Sequence, residues 1–349
     1  MKYYILDLPI KIHENDYFSD KKNIERIKYL FGQKDDLTII TNKVSTNSEL
    51  INNVPFYCKI LPKGNSKNVG LLKKLQKSEC YYLLSGDKEL IKFCLRLSLK
   101  NKINTIYIGS LSNSYRYNKS YYFPKYLIAL IIEFLIFSRS KKIYAAGGNL
   151  PNSIFKIFFG RKVILFNTVY EKFPNQEKPD LSKMYQSKTL LFMGLIDKQK
   201  GLLEIIDFIE YYNTKVNEIN TLKIHLYGKA KDTTFLTYLE SKKCVEYKGY
   251  VNISNSKLFY SSYMFSILLS KHEGMARFPL EAMFYYLPPI TNMIGTSSYC
   301  NSENSIIYKS KFKALENLSA LSYRAYEKIC ESAYNTALNF NGNERPIIR

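Results

Sequence analysis

The chain has 349 residues, of which 46% are hydrophobic and 23% charged, a balance that is typical of a globular protein and excludes a disordered or fibrous one. At about 150 residues per domain, this length predicts two domains. Lys and Arg number 51 against 30 acidic residues, so the net charge of +21 favours anionic partners.

The cysteines and histidines exclude several classes of site. The six cysteines are scattered without a CxxC pair, which predicts neither a zinc site nor a disulfide framework and fits a reducing cytoplasm. Three histidines are too dispersed to predict a His-rich metal site. Asp7 interrupts the first apolar stretch and no run of 18 uncharged apolar residues occurs, so we expect neither a secretion signal nor a membrane-spanning helix.

In the first half of the chain, short apolar runs alternate with helical patterns. Strands are predicted at Tyr3–Leu8, Leu37–Thr41, Tyr81–Ser85, Thr105–Ile108, Ile143–Ala146 and Lys162–Phe166. Helices are predicted at Asn23–Phe31, Asn68–Gln76, Lys88–Leu99 and Pro124–Phe137. This alternation predicts an α/β domain with a parallel sheet covered on both faces.

A polar segment with two prolines, Glu171–Asp180, is the best candidate for a linker. The alternation then restarts, with strands predicted at Thr189–Met193, Leu222–Leu226, Val245–Tyr247, Met264–Leu269 and Pro289–Thr291. The intervening helices are predicted at Leu202–Tyr212, Thr233–Lys242, Ser254–Tyr260 and Pro279–Tyr285. We therefore expect domains over residues 1–175 and 186–310, a helical tail over 311–349, and a cleft at the carboxyl ends of the strands.

A glycine and a lysine follow the first strand of the second half. Gly194 ends the strand, and Lys200-Gly201 comes six residues later at a helix start. A glycine permits close approach of the backbone, and a lysine beside a helix N-terminus suits a phosphate. Taken alone, a solvated loop lysine is the simpler interpretation.

Two glutamates eight residues apart mark the segment Ser270–Met283. Glu273 lies in a loop after a predicted strand, and Glu281 lies in the helix for which Pro279 is a good first residue. The loop amides and the helix N-terminus suit a diphosphate, and each carboxylate can accept hydrogen bonds from sugar hydroxyls. The simpler interpretation of the pair alone is a surface loop and a solvated helical glutamate.

In their order and spacing these residues resemble the C-terminal domain of family-4 retaining glycosyltransferases of the GT-B fold. The resemblance covers about residues 188–300 and is carried by Gly194, Lys200-Gly201, Gly228, Val245 with Gly249 and Val251, Ser270, Glu273-Gly274, Glu281-Ala282-Met283, Pro288 and Ile290. It implies two Rossmann-like domains facing a cleft, the first binding the acceptor and the second binding a nucleotide-sugar donor. It also implies that the C-terminal helical tail would cross back to the first domain.

The resemblance also implies roles for individual residues. Lys200 would contact the donor diphosphate, Glu273 would hold a sugar hydroxyl and support charge at the anomeric carbon, and Glu281 would bind the ribose. Lys200 and Glu273 are the catalytic candidates. The other residues implied at the donor site are Gly194, Tyr250, Gly274, Met275, Ala276, Arg277 and Phe278. No metal and no cofactor is implied, because lysine, amides and a helix dipole would neutralise the leaving diphosphate.

The chain departs from the family pattern at several positions. Leu195 stands where the family has an arginine, and Lys198 or Arg277 is the candidate replacement for that cation. Ala276 stands where a second glycine is usual. The usual Gly-Gly loop of the first domain is absent, and His13, which lies in its place, is a candidate on the acceptor side.

The positive charge is concentrated in the first half. Residues 91–170 contain 13 Lys or Arg and one acid, Glu133, and they include the apolar helix predicted from Pro124. One interpretation is a helix of the domain core with solvated lysines around it. The other is a helix that docks on an anionic membrane surface. Nucleic acid is not expected, because no recognition module is present.

We therefore expect a metal-independent hexosyl- or N-acetylhexosaminyl-transferase, with a UDP-sugar favoured as the donor. The resemblance implies a bacterial surface-polysaccharide or lipid-linked glycan acceptor, in capsule, lipopolysaccharide or exopolysaccharide synthesis. The expected location is cytoplasmic, and the membrane-docking interpretation of the apolar helix adds a peripheral position on the inner face of the bacterial plasma membrane. A nucleotide-sugar 2-epimerase and a catalytically silent GT-B binding protein stay open as alternatives.

Overall fold

The computed structural model describes residues 2–6, 10–13, 16–19, 24, 27–28, 37–41, 52–53, 57–60, 69–76, 78–84, 87–99, 101–107, 123–146, 157–166, 175–251, 256–271 and 273–340. The chain divides into two compact units, Met1–Tyr170 and Glu171–Gly342. Each unit is built around one parallel β-sheet.

The first unit contains ten described strands: β1 (Lys2–Ile5), β2 (Lys11–His13), β3 (Asp16–Ser19), β4 (Leu37–Thr41), β5 (Asn52–Asn53), β6 (Tyr57–Ile60), β7 (Glu79–Leu83), β8 (Ile103–Tyr107), β9 (Ser140–Ala146) and β10 (Val163–Phe166). Seven of them form a sheet in the order β10-β9-β8-β7-β1-β4-β6, and all of its pairings are parallel. Strands β2, β3 and β5 form a small antiparallel sheet.

Three described helices of the first unit accompany this sheet: α1 (Val69–Leu75), α2 (Lys88–Ser98) and α3 (Phe123–Arg139). Helix α2 begins where the Asp87 carboxylate accepts hydrogen bonds from the amides of Glu89 and Leu90, which is an N-cap. The buried faces of α2 and α3 join the sheet in one hydrophobic core, with Phe93 and Phe137 fully buried.

The second unit has a described six-stranded sheet: β11 (Thr189–Met193), β12 (Lys223–Tyr227), β13 (Val245–Gly249), β14 (Phe265–Leu268), β15 (Pro289–Thr291) and β16 (Ile306–Ile307). Its helices are α4 (Leu181–Ser187), α5 (Leu202–Asn213), α6 (Thr233–Glu240), α7 (Ser256–Tyr260), α8 (Arg277–Met283), α9 (Lys311–Ser319) and α10 (Tyr323–Asn339). The strand order is β13-β12-β11-β14-β15-β16 and every pairing is parallel. The α/β prediction is confirmed for both halves.

The order of this second sheet reverses between β11 and β14. From β11 the chain adds β12 and β13 on one side, and it then returns to add β14, β15 and β16 on the other. In open α/β sheets, ligands bind beyond the carboxyl ends of the strands at such a reversal. We therefore expect a ligand-binding site at the loops after β11 and β14.

The end of the described chain packs within the second unit. The Tyr326 hydroxyl donates to the Met264 carbonyl at 2.8 Å, and the Tyr334 ring stacks on Tyr286 with centroids 4.1 Å apart. Where the sequence predicts one helical tail there are two helices, because Ser322 caps a new helix after α9 has ended. Residues 341–349 lie outside the described part, so the expected return of the tail to the first domain stays a prediction.

Several elements differ from the sequence predictions. Helix α4 was not predicted, because its polar sequence continues the candidate linker; Asp180 caps it, accepting from the amides of Ser182 and Lys183. Helix α8 begins at Arg277 and not near Pro279, which is its third residue. Strand β6 and the small antiparallel sheet were also not predicted, and most of the helix predicted at 23–31 lies outside the described residues.

Candidate functional site

The catalytic candidates meet at the reversal of the second sheet. Lys200 ends a 3-10 turn, Lys198–Lys200, in the loop after β11, and Glu273 lies in the loop after β14. The Lys200 ammonium donates a hydrogen bond to Oε1 of Glu273, 73 residues further along the chain. Their side chains are 27% and 16% exposed, so the ion pair is mostly shielded from water.

A serine fixes the carboxylate of this pair. Ser270 Oγ donates to Glu273 Oε1 at 3.0 Å, so one oxygen accepts from both the ammonium and the hydroxyl. Ser270 is itself fully buried. The simpler interpretation of the sequence places Glu273 in a surface loop, whereas its side chain is only 16% exposed.

Gly201 brings the lysine to the carboxylate. It has φ +74°, and a Cβ there would lie 1.9 Å from the carbonyl oxygen of Leu269, so no larger residue fits between the two loops. Beside this close approach the Lys271 amide donates to the Gln199 carbonyl at 2.9 Å. The backbone of the loop after β11 is thereby joined to that of the loop after β14.

A third loop, after β15, supports the second of these loops. Asn292 Nδ2 donates to the Ser270 carbonyl at 3.0 Å, and the Ala276 amide donates to the Gly295 carbonyl at 2.8 Å. The buried Tyr299 hydroxyl donates to the Ala276 carbonyl at 2.6 Å. The peptide groups on both sides of Ala276 are therefore engaged within the protein.

Tyr299 lies within electrostatic reach of both glutamates. Burial is the main cause that raises the pKa of its hydroxyl far above the ordinary value, and the negative charges of Glu273 and Glu281 add to that shift. A Cβ on Gly295, in the same loop, would lie 2.3 Å from Cβ of Glu273. The sequence predictions missed Asn292, Gly295 and Tyr299, because no local pattern identifies contacts that form only when three loops approach.

Glu281 lies on α8 beside a cation. Arg277 Nη2 is 2.9 Å from Glu281 Oε1, and both side chains are 24% exposed. The four-residue spacing on a helix brings the two together. Of the remaining residues predicted in this segment, Met275 is buried, Gly274 is partly exposed and Phe278 packs its ring 6.5 Å from that of buried Phe192.

Two other predicted residues lie at the same carboxyl edge of the sheet. Gly194 follows β11, and a Cβ on the neighbouring Gly228 would lie 1.8 Å from its carbonyl oxygen, so the turns after β11 and β12 touch through their backbones. Tyr250 follows β13 and is 75% exposed, with the Lys229 ammonium 6.0 Å from its ring centroid. Gly194 and the ring of Tyr250 are both exposed.

Other candidates are placed differently. Lys198 Nζ lies 5.3 Å from the Phe235 ring centroid, and Leu195 is 44% exposed. His13 ends β2 opposite Asp16 of β3, and its side chain lies outside the described residues, so its acceptor-side role stays a prediction. His225 lies within β12, with Nδ1 3.2 Å from the Tyr263 hydroxyl and Nε2 3.3 Å from Glu246 Oε2.

Among the described residues, no helix is long and apolar enough to cross a membrane. Within the same residues, no group of three His, Cys, Asp or Glu side chains is arranged to hold a metal ion.

One family model matches part of the second unit. Residues 187–318 match the family model of glycosyl transferases group 1. No curated protein matches the chain.

Solved structures identify the fold. HepE from Anabaena, solved in complex with UDP and glucose, aligns with a TM-score of 0.65 at 12% identity, over 98% of this chain and 96% of its own. WaaG, a glycosyltransferase involved in lipopolysaccharide biosynthesis, aligns with a TM-score of 0.59 at 13% identity, over 97% of this chain and 95% of the WaaG chain. TarM aligns with a TM-score of 0.55 at 14% identity, over 78% of this chain. The alignment spans only 55% of the TarM chain. Residues 187–318 thus match the group 1 glycosyltransferase family model, and the chain has the fold of the GT-B glycosyltransferases.

Proposed function

We propose that this protein is a family-4 retaining glycosyltransferase that transfers a sugar from a nucleotide-sugar donor, with UDP favoured as the nucleotide. The observation that carries the proposal is the meeting of Lys200, Ser270 and Glu273 at the strand reversal of a group 1 glycosyltransferase domain. At that position the Lys200 ammonium suits the diphosphate of a nucleotide sugar, and the oriented Glu273 carboxylate suits a hydroxyl of the sugar.

Lys200 and Glu273 would exchange partners when the donor binds. In the structure, the carboxylate of Glu273 neutralises the Lys200 ammonium. A diphosphate presents more negative charge than one carboxylate, so we expect Lys200 to turn to it and stabilise the leaving group. Glu273, still held by Ser270, would then accept a hydrogen bond from a sugar hydroxyl and stabilise positive charge at the anomeric carbon.

The nucleotide would extend along the carboxyl edge of the sheet. Glu281 is the proposed ligand of the ribose hydroxyls, and Arg277 beside it supplies the cation that the family places at position 195. The exposed ring of Tyr250 offers a surface for the base, and Gly194 leaves room for the diphosphate near Lys200. The amides of Gly274, Met275 and Phe278 are the remaining candidates for phosphate and sugar oxygens.

The transfer would occur on the front face of the sugar. The bond from the anomeric carbon to the phosphate oxygen breaks, and a bond to the acceptor oxygen forms on the same side. The acceptor proton passes to the departing phosphate, so no separate protein base is needed. Lys200 and its neighbouring amides would take the place of a metal ion in neutralising that phosphate.

The structural neighbours support a UDP donor and a surface-glycan acceptor. HepE was solved with UDP and glucose, and a TarM complex holds UDP and alpha-GlcNAc-glycerol. WaaG acts in lipopolysaccharide biosynthesis. We accordingly propose transfer of a hexose or N-acetylhexosamine to a lipid-linked glycan or surface polysaccharide at the cytoplasmic face of a bacterial inner membrane.

Thermal unfolding with UDP-, GDP-, ADP- and CMP-linked sugars tests the proposal. A ligand at 100 times its dissociation constant adds about 2.7 kcal/mol to the free energy of unfolding, which is readily seen in the midpoint. We expect one nucleotide class to raise the midpoint of the wild type and of the exposed-surface control Glu240→Ala, but not of Glu281→Ala.

Two results would count against the proposal. No shift with any nucleotide sugar would favour the catalytically silent binding protein. A shift accompanied by conversion of the UDP-sugar without an acceptor would favour the 2-epimerase.

A further inference from the structure

Helix α3 of the first unit has a second apolar face, whose side chains are about half exposed. One side of the helix belongs to the core, where Ala129, Ile136 and Phe137 are buried. The opposite side is also apolar, with Leu127, Ile128, Ile131 and Phe134 between 39% and 56% exposed.

The exposed face continues onto a neighbouring segment. Ile157 and Phe158 are 79% and 64% exposed, and the ring centroids of Phe158 and Phe134 are 5.9 Å apart in an edge-to-face contact. Behind them the buried Phe159 packs 5.2 Å from Phe134 and joins the patch to the core. We call the six exposed residues the α3 surface: Leu127, Ile128, Ile131, Phe134, Ile157 and Phe158.

The charges around the α3 surface have one sign. Among the described residues of 123–146 and 157–166, the basic ones are Lys125, Arg139, Lys141, Lys142, Arg161 and Lys162, and the single acid, Glu133, is fully buried. Lys162 Nζ donates to the Ser138 carbonyl at 3.0 Å, which fixes a cation at the end of the exposed face. Lys141, Lys142 and Arg161 are exposed near the same end.

We propose that the α3 surface docks on an anionic lipid bilayer, with the helix lying in the plane of the interface. Exposed aliphatic and aromatic side chains would enter the boundary between headgroups and acyl chains, and the cations at its edge would meet lipid phosphates. A nucleic acid would match the charge but not six apolar side chains. A protein partner would match the apolar face but would need its own acidic rim.

Vesicle flotation tests the proposal with the intact protein. We expect binding to phosphatidylcholine vesicles containing about 30% phosphatidylglycerol, and weak binding to phosphatidylcholine alone. Lys141→Gln/Lys142→Gln should lower affinity roughly thirtyfold, since each lysine near an anionic surface contributes about a factor of five. Added salt should also weaken the binding of the wild type to anionic vesicles.

Apolar substitutions test the other half of the contact. Ile128→Ser/Ile131→Ser and, separately, Phe158→Ser should lower binding at least about tenfold. Ile219→Ser/Leu258→Ser is the matched control, because these residues are 91% and 67% exposed in the second unit and should not affect binding. Thermal unfolding of each variant would show that its fold is kept, and Phe158→Ser changes a residue outside α3.

Three results would overturn the proposal: no binding of the wild type to anionic vesicles, equal binding to neutral ones, or unchanged binding of both apolar variants. If the wild type instead forms a dimer that Ile128→Ser/Ile131→Ser dissociates, and does not bind vesicles, the α3 surface is an interface between two copies of this chain. The proposal is independent of donor binding, because the same variants should keep the thermal shift produced by the nucleotide sugar.

Discussion

Lys200 donates a hydrogen bond to the carboxylate of Glu273 across the strand reversal of the second sheet. The two residues reach each other because Gly201 lets the loop after β11 approach the carbonyl of Leu269. Ser270 then orients the carboxylate. The proposed catalytic pair is thus formed by the packing of two loops that are distant in sequence.

Replacing Glu273 by Gln should reduce sugar transfer at least about 100-fold, because an amide cannot stabilise the positive charge that develops at the anomeric carbon. The measurement is UDP release from the UDP-sugar that the thermal panel selects. The control is Glu240→Gln, whose side chain is exposed at the end of α6. A Glu273→Gln enzyme with wild-type turnover would remove this residue from the reaction.

Replacing each of three glycines by alanine should separate the energetic cost of backbone strain from that of steric overlap. Gly160→Ala should change the free energy of unfolding little, since its φ is ordinary and a Cβ would have no atom within 4 Å. Gly249→Ala has open space but φ +73°, so it should cost about 1–2 kcal/mol. Gly201→Ala combines φ +74° with the overlap on Leu269 and should cost more than either. Chemical denaturation measures all three, and equal costs at positions 201 and 249 would contradict the close approach.

Tyr299→Phe should loosen the loop that holds Glu273. The variant removes a buried hydroxyl that donates to the Ala276 carbonyl, and an unsatisfied buried acceptor costs about 1–3 kcal/mol. We expect a lower unfolding midpoint and a smaller nucleotide-sugar shift. Tyr323→Phe, at a residue 40% exposed on α10, should leave both unchanged. If Tyr299→Phe behaved like Tyr323→Phe, the third loop would have no supporting role.

His225 should make the protein less stable below neutral pH. Burial, the largest cause, lowers its pKa below 6.5; Glu246 raises it, and Lys248 and Lys223 lower it further. The unfolded chain therefore binds this proton more tightly than the folded one. The contribution of neutral His225 is fully present above about pH 6.5 and decreases as pH falls through 6.5 toward the folded pKa. His225→Gln should flatten the decline in unfolding free energy between pH 7 and pH 5.5, and an unchanged slope would contradict the shift.

The sequence predicts most of this fold because parallel strands and amphipathic helices are local patterns. Lys200 and Glu273 could be identified because each follows a strand end, where the topology of an α/β sheet places ligands. The four-residue spacing of Arg277 and Glu281 on a helix also predicts their ion pair. The contacts of Asn292 and Tyr299 with the loop of Ser270 could not be predicted, because they depend on the packing of separate loops. Helix α4 was missed because its cap, Asp180, lies in a polar segment without apolar periodicity.

The most direct test of the account is a calorimetric titration of UDP into the wild type, Lys200→Met and Lys243→Met. Methionine keeps the length and apolar part of the lysine side chain and removes its charge. Lys243 is exposed before β13, at the opposite edge of the sheet from Lys200. We predict that Lys200→Met weakens UDP binding at least about tenfold, or about 1.4 kcal/mol, while Lys243→Met binds like the wild type. Equal affinity of all three proteins for UDP would contradict the assignment of the diphosphate to Lys200.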